Sequence, residues 1–232
     1  MEPVRPVVDP AARVLYTGEG LDDAAVEALR AAGPLAVLEQ WYAEAAADQR
    51  VTEPGAMVLA TVDAAGDPDA RTVLLKGMDA DGLTFFTNLR SAKARQLEHR
   101  PRAALVLLWH AMFRQVRVRG PVSVVPREQA AAYFASRPRA SQLGAWASRQ
   151  SEPIGSRAEL DAAVAAVTAR FEGSDDVPLP PFWGGYRVHP VEIELWVGHA
   201  DRLHDRVRFA AVDGVPAPLD DPAAWRVQRL QP

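Results

Sequence analysis

Near the end of the chain, Arg202-Leu203-His204-Asp205-Arg206 sets three nitrogen bases at alternate positions. Val191, Ile193, Leu195 and Val197 precede this stretch and Val207 and Phe209 follow it, a composition that favours extended structure. Side chains on a strand alternate between faces, so Arg202, His204 and Arg206 are expected to project from one side. Three nitrogen bases on one strip repel one another unless something anionic lies against them. The strip is therefore either a solvated strand face or a ligand contact, and the remaining chemistry-bearing residues decide between the two.

Arg71-Thr72-Val73-Leu74-Leu75-Lys76 reads as a strand with a cation at each end. At that separation the two cations face opposite sides of a regular strand, so they serve different groups or a bulge realigns them. Ser91-Ala92-Lys93 follows Phe86-Thr87-Asn88. Ser91 is expected to cap a short helix whose first amides, with Lys93, make a phosphate cradle. Tyr133, Arg137 and Ser141 recur at every fourth position. On a continuous helix this phenol, guanidinium and hydroxyl share a face suited to an anion. Pro138 interrupts that helix, and a simple Arg-Pro break is the plainer alternative. Gln115 sits mid-strand between Arg114 and Val116, where a buried amide needs partners that a heterocycle's carbonyls and nitrogens would supply. Gln150-Ser151 lies in a polar loop. This is more phosphate-binding capacity than a protein of net charge −4 needs for structure alone. Two phosphate-bearing small molecules fit it better than one.

Other chemistries leave little trace. The chain has no cysteine, which removes disulfides, thiolate catalysis and zinc-thiolate sites. It has no G-x-S-x-G elbow, no Walker A loop and no G-x-G-x-x-G; Gly18-Glu19-Gly20 is only a fragment. His199 and His204 lie near Asp201 and Asp205, but His-x4-His with aspartates is not a recurrent ligand pattern, and no metal is expected. A Ser-His-Asp hydrolase has no marked nucleophile. With pI near 5.8 there is no global basic field for nucleic acid or anionic membranes. No apolar run reaches the roughly 18 residues of a membrane span. The reading is a soluble, cytoplasmic protein.

The elements that must position these residues follow from periodicity. Residues 1–20 carry three prolines and read as a flexible N-terminal arm. A helix from Leu21 to Ala32 stops at Gly33, and Pro34 opens a second with Leu35, Leu38, Trp41, Tyr42 and Ala45 on one stripe. Strands are expected at Met57–Val62, Ala70–Lys76, Leu83–Thr87, Ala103–Trp109, Phe113–Val125, Tyr186–Val197 and Leu203–Val212, with Trp225–Leu230 ending the chain. Helices are expected at Ser91–Leu97, from Pro126 to about Ser136, from Pro138, and over Ser156–Phe171. This pattern predicts a mainly β, α+β fold: an antiparallel six-stranded split barrel with peripheral helices. Residues 21–232 are expected to form one domain.

The ordered motifs resemble those of the pyridoxine/pyridoxamine 5′-phosphate oxidase family, of the FMN-binding split-barrel class. The resemblance runs from about Arg13 to Pro232. It is carried by Arg71–Lys76, Phe85–Asn88, Arg114–Val116, Ser136–Ser148, Gln150-Ser151, Phe182–Tyr186 (FWGGY), Arg202–Arg206 and the closing Arg229-Leu230-Gln231-Pro232. It implies a homodimer with FMN at the subunit interface. Arg71, Lys76, Phe86, Thr87, Lys93, Gln115, Gln150, Ser151, Trp196 and Arg206 would hold FMN. Lys76, Tyr133, Arg137 and Ser141 would hold the phosphate of pyridoxamine or pyridoxine 5′-phosphate, with Arg202 and His204 as catalytic residues over the pyridine ring. Arg13 and Tyr16 match an Arg-x-x-Tyr that covers the family's site. The implied reaction is hydride transfer from substrate C4′ to the flavin, giving pyridoxal 5′-phosphate, with O2 then reduced to H2O2. The chain departs from the family at Ala92, where an arginine is common, at Phe86, where tyrosine is usual, and at Val197, where glutamine is frequent. The loss at Ala92 implies weaker FMN binding. A phenazine-biosynthesis type of oxidase on the same fold, and a non-catalytic FMN-binding protein, are the alternatives.

Overall fold

The computed structural model describes residues 16, 20–199 and 202–232. In chain order the elements are α1 (Asp23–Ala47), β1 (Ala56–Val62), β2 (Pro68–Leu74), β3 (Gly77–Asp79), β4 (Gly82–Asn88) and α2 (Ala92–His99). There follow β5 (Arg102–Trp109), β6 (Arg114–Val124), α3 (Arg127–Ala135), α4 (Arg139–Ala147) and α5 (Arg157–Arg170). The chain closes with β7 (Trp183–Val188), β8 (Glu192–Val197), β9 (Asp205–Ala211) and β10 (Trp225–Leu230).

The long strand β6 divides the sheet. Its first half, Arg114–Arg119, pairs with β8, and Val122–Val124 pairs with β7. One path runs β10-β9-β8-β6-β5-β1-β2, while β7 carries β4 and then β3 away from it. Every pairing is antiparallel. Gly120 marks the switch. A Cβ there would fall 1.8 Å from the His189 carbonyl oxygen, so only glycine lets the chain change partner.

Alternation builds the core. Leu105 and Leu107 of β5, Val116 and Val118 of β6, Ile193 and Leu195 of β8, and Val207 and Phe209 of β9 are each at most 2% exposed. Their neighbours point to the outer face. Each such side chain contributes roughly 1.5–3 kcal/mol by leaving water. Trp41, Leu38 and Val37 of α1 join this core, and α3–α5 cover a smaller cluster of Phe134, Leu143, Phe171, Val177 and Trp183.

The mainly β class with peripheral helices is as expected, but among the described residues ten strands replace six. The expected strand Tyr186–Val197 is two strands, because Pro190 cannot donate to a ladder. The two expected N-terminal helices join as α1, kinked at Gly33 (φ 77°) ahead of Pro34. A larger correction concerns the basic strip. β9 starts only at Asp205, and Arg202 has φ 65°, so Arg202 and His204 precede the strand rather than alternate along it. Among the described residues no helix is long and apolar enough to cross a membrane. The expected arm over residues 1–20, Arg13 included, lies outside the described residues except for Tyr16 and Gly20.

Candidate functional site

A cavity of about 690 Å³ opens between the end of β2, β4, α2, the α3–α4 break and β7. Its lining includes Lys76, Phe86, Thr87, Lys93, Tyr133, Arg137, Ser141, Gln150 and Trp183. Among the described residues three cations line it and no carboxylate does. In a protein of net charge −4 this concentrates positive potential where polar hydroxyls and amides already converge. Its volume falls in the range of small-molecule sites.

Lys93 shows what the cavity lacks. It is 7% exposed, and its Nζ donates to Gln150 Oε1 (3.1 Å), Thr87 Oγ1 (3.3 Å) and Ser91 Oγ (3.4 Å). All three acceptors are neutral. Burial, then repulsion from Arg71, pushes the ammonium's pKa below its ordinary value. A buried cation without an anion is costly, and such sites are kept where a ligand supplies the charge. Thr87 also donates to Gln150 Oε1 (2.9 Å), and Asn88 Nδ2 to the Ser148 carbonyl (3.3 Å), which draws the 148–150 loop over the site.

The Tyr133, Arg137 and Ser141 spacing survives the helix break. Tyr133 belongs to α3, Ser141 to α4, and Arg137 lies between them, yet all three line the cavity. Gln142 makes this possible: its buried Nε2 donates to the carbonyls of Phe134 (3.0 Å) and Ala135 (3.2 Å), tying α4 to the end of α3. Burial lowers the Arg137 pKa, and its Nη1 is buried with no hydrogen-bond partner among the described residues. Burial raises the Tyr133 pKa, keeping it a neutral donor.

Arg71 and Lys76 part company: only Lys76 reaches the cavity. β2 ends at Leu74, and Lys76 then hydrogen-bonds through its backbone N–H to Thr84 and enters the cavity lining. Arg71 lies outside that lining and donates to Thr61 Oγ1 (2.5 Å), Asp69 Oδ2 (2.5 Å) and Gln96 Oε1 (2.8 Å). Ser151 is exposed, with φ 73°, beside Gln150 and outside the lining.

The remaining expected residues form a second group. Gln115 pairs in register with Trp196, and Trp196 with Arg206, so three neighbouring strands place them in one row. Glu194 Oε1 and Oε2 accept from Arg206 Nε and Nη2 at 3.0 and 3.1 Å. The His204 ring lies 4.6 Å from the Trp196 ring and 5.3 Å from Tyr16, and the Arg202 guanidinium is 5.8 Å from the Tyr16 ring. His204 Nδ1 accepts the His199 backbone N–H at 3.0 Å, which fixes a neutral ring carrying its proton on Nε2. Burial, then Arg202 and His199, lowers the His204 pKa and favours that form. None of these residues lines the cavity described above. Residues that sequence reasoning missed are Gln142, Glu194 and Trp183. A buried glutamine or glutamate signals itself only once burial is known, and a tryptophan in an apolar run reads as core.

Residues 43–171 match the pyridoxamine 5′-phosphate oxidase family, and residues 183–232 match the pyridoxine 5′-phosphate oxidase C-terminal dimerisation region. The chain belongs to the pyridoxamine 5′-phosphate oxidase family. Among its relatives, a pyridoxine/pyridoxamine 5′-phosphate oxidase of Kineococcus radiotolerans is 48% identical, covering 97% of this chain and 99% of the relative. Another, from Rubrobacter xylanophilus, is 50% identical over 86% of this chain and 87% of its own. Among solved structures, PhzG from Burkholderia lata, in complex with tetrahydrophenazine-1-carboxylic acid, superimposes with TM-score 0.76 at 29% identity. That match covers 87% of this chain and 93% of PhzG. A pyridoxamine 5′-phosphate oxidase-related FMN-binding protein of Nostoc punctiforme shares the fold, with TM-score 0.63 at 18% identity over 86% of this chain and 98% of its own. Within the family, β7–β10 of this chain thus correspond to a dimerisation region.

Proposed function

We propose that this chain is an FMN-dependent oxidase that converts pyridoxamine 5′-phosphate and pyridoxine 5′-phosphate to pyridoxal 5′-phosphate, with O2 reduced to H2O2. The observation that carries the proposal is the cavity lined, among the described residues, by three cations and no carboxylate, with a buried guanidinium nitrogen that has no partner there. Lys93, Thr87 and Gln150 suit the FMN phosphate, because they offer a buried ammonium, a hydroxyl and an amide around an empty charge balance. Arg137, Tyr133, Ser141 and Lys76 suit the substrate phosphate. FMN would supply the electron acceptor for the substrate's C4′ hydride and the route to O2. The chain's own residues bind, orient and hold protons. Neutral His204, whose Nδ1 accepts from His199 and so leaves the proton on Nε2, and Arg202 would lie over the pyridine ring.

A homodimer reconciles the two groups of residues. The Gln115–Trp196–Arg206 row stands on strands β6, β8 and β9, and β8 and β9 belong to the segment matching a dimerisation region. Meeting the cavity of a second copy, this row would close one flavin site from both protomers. The PhzG likeness favours a second reading, oxidation of a tricyclic carboxylic acid. Against it stand Tyr133, Arg137, Ser141 and Lys76 together, a set suited to a phosphate dianion rather than a single carboxylate.

Peroxide formation with pyridoxamine 5′-phosphate, compared with unphosphorylated pyridoxamine, tests the proposal. Turnover that depends on the phosphate supports it; equal turnover on both favours the second reading. Arg202→Ala and His204→Ala are expected to abolish turnover while FMN stays bound.

A further inference from the structure

The FWGGY stretch brings a tryptophan and two glycines to the strand that backs the cavity. Its Trp183 opens β7 opposite Asn88, and its two glycines lie opposite Thr87 and Phe86. A Cβ on Gly185 would fall 2.7 Å from Phe86 Cδ1 and 2.9 Å from the Phe85 carbonyl oxygen. Glycine there lets the Phe86 ring lie down against β7. The ring then joins a triangle of near-parallel rings: Phe86 and Trp183 are parallel within 1° at 5.4 Å, Phe86 and Tyr133 within 11° at 4.2 Å, and Tyr133 and Trp183 within 12° at 6.1 Å. The Arg137 guanidinium carbon sits 4.9 Å from the Trp183 ring centroid and 5.5 Å from that of Phe134.

Arg127 fixes the ring that carries Arg137. Its guanidinium donates to the carbonyls of Trp183 (2.7 Å), Pro180 (2.8 Å) and Leu179 (3.1 Å), clamping the proline-rich connector to α3. Trp183 is itself 5% exposed. An arginine held by aromatic faces keeps its charge uncompensated, unlike one held by a carboxylate. That is the state a phosphate site needs in its empty form.

We infer that Trp183 is a positioning residue for the substrate phosphate: its ring holds Arg137 facing the cavity with no competing anion. This rests on the oxidase reading only for the name of the ligand. Tyr133 packs beside the same ring, so the side chain of Trp183 acts on substrate affinity rather than on flavin affinity.

The test compares Trp183→Leu, Trp183→Phe and Arg137→Gln in the FMN-loaded protein. Dissociation constants for pyridoxal 5′-phosphate and inorganic phosphate are measured by equilibrium titration, alongside KM, kcat and FMN affinity. Trp183→Leu is expected to weaken pyridoxal 5′-phosphate binding about tenfold or more, raising KM with kcat and FMN affinity near wild type. Trp183→Phe, which keeps a ring, retains most of that affinity, and it carries the comparison if the leucine variant does not fold. In an Arg137→Gln background the Trp183→Leu effect on phosphate affinity disappears. Phosphate affinity unchanged in both Trp183 variants overturns the inference, as does an equal loss of FMN. Wild-type protein that binds both phosphates but produces no peroxide refutes the oxidase reading and leaves the positioning role standing.

Discussion

Glu194 grips Arg206 through both carboxylate oxygens, at 3.0 and 3.1 Å, from a position only 3% exposed. The two residues lie on neighbouring strands two residues off register and so share a face, and the clamp fixes Arg206 beside Trp196. Arg117 Nη2 adds a contact to Glu194 at 3.3 Å. Replacing Glu194 by Gln keeps the shape and removes the charge. The variant is expected to lose about 1.5–3 kcal/mol of stability in urea unfolding of the apoprotein. It should also bind FMN more weakly. Unchanged stability would mean that the clamp is incidental.

Lys93 presents the opposite case, a buried ammonium among neutral oxygens. Its lowered pKa means that the fold disfavours the charged form, so a neutral side chain of similar length relieves the apoprotein. Lys93→Met is expected to gain about 1 kcal/mol in apoprotein stability while losing retained FMN. A destabilised Lys93→Met apoprotein would contradict the account of an unbalanced charge.

The His204 pKa is held below the usual imidazole value by burial, Arg202 and His199, in that order. As pH falls below about 6.5 the unfolded chain takes up the proton first. The contribution of neutral His204 is therefore complete above that pH and is lost as pH falls through the folded value. A ring titration by NMR should place His204 below free imidazole. Arg202→Gln should move it upward, and a midpoint that stays put would remove Arg202 as a cause.

Ala92 begins α2 immediately before Lys93. An arginine there would add a charge-assisted donor at a helix N-terminus. Ala92→Arg is expected to tighten FMN binding about tenfold in titration of the apoprotein. A variant that binds no tighter would show that the family's arginine is not what this chain lacks.

Much of this was legible in the residues. Alternation located the strands, and the four-residue spacing of Tyr133, Arg137 and Ser141 pointed to one face despite Pro138. What sequence could not show was Gln142 sewing the break, since that depends on which carbonyls the break leaves free. The basic strip misled for a local reason: the left-handed backbone at Arg202 ends the alternation before β9 begins. The row that does form, Gln115–Trp196–Arg206, joins positions 81 and 10 residues apart (196 − 115 and 206 − 196), and only the register of three strands reveals it.

The central claim is tested most directly by loading the purified protein with FMN and following peroxide in air-saturated buffer as pyridoxamine 5′-phosphate is added. The account predicts a yellow protein that produces one peroxide per pyridoxal 5′-phosphate formed. A protein that cannot be reconstituted with FMN, or that holds FMN and yields neither product, would contradict it.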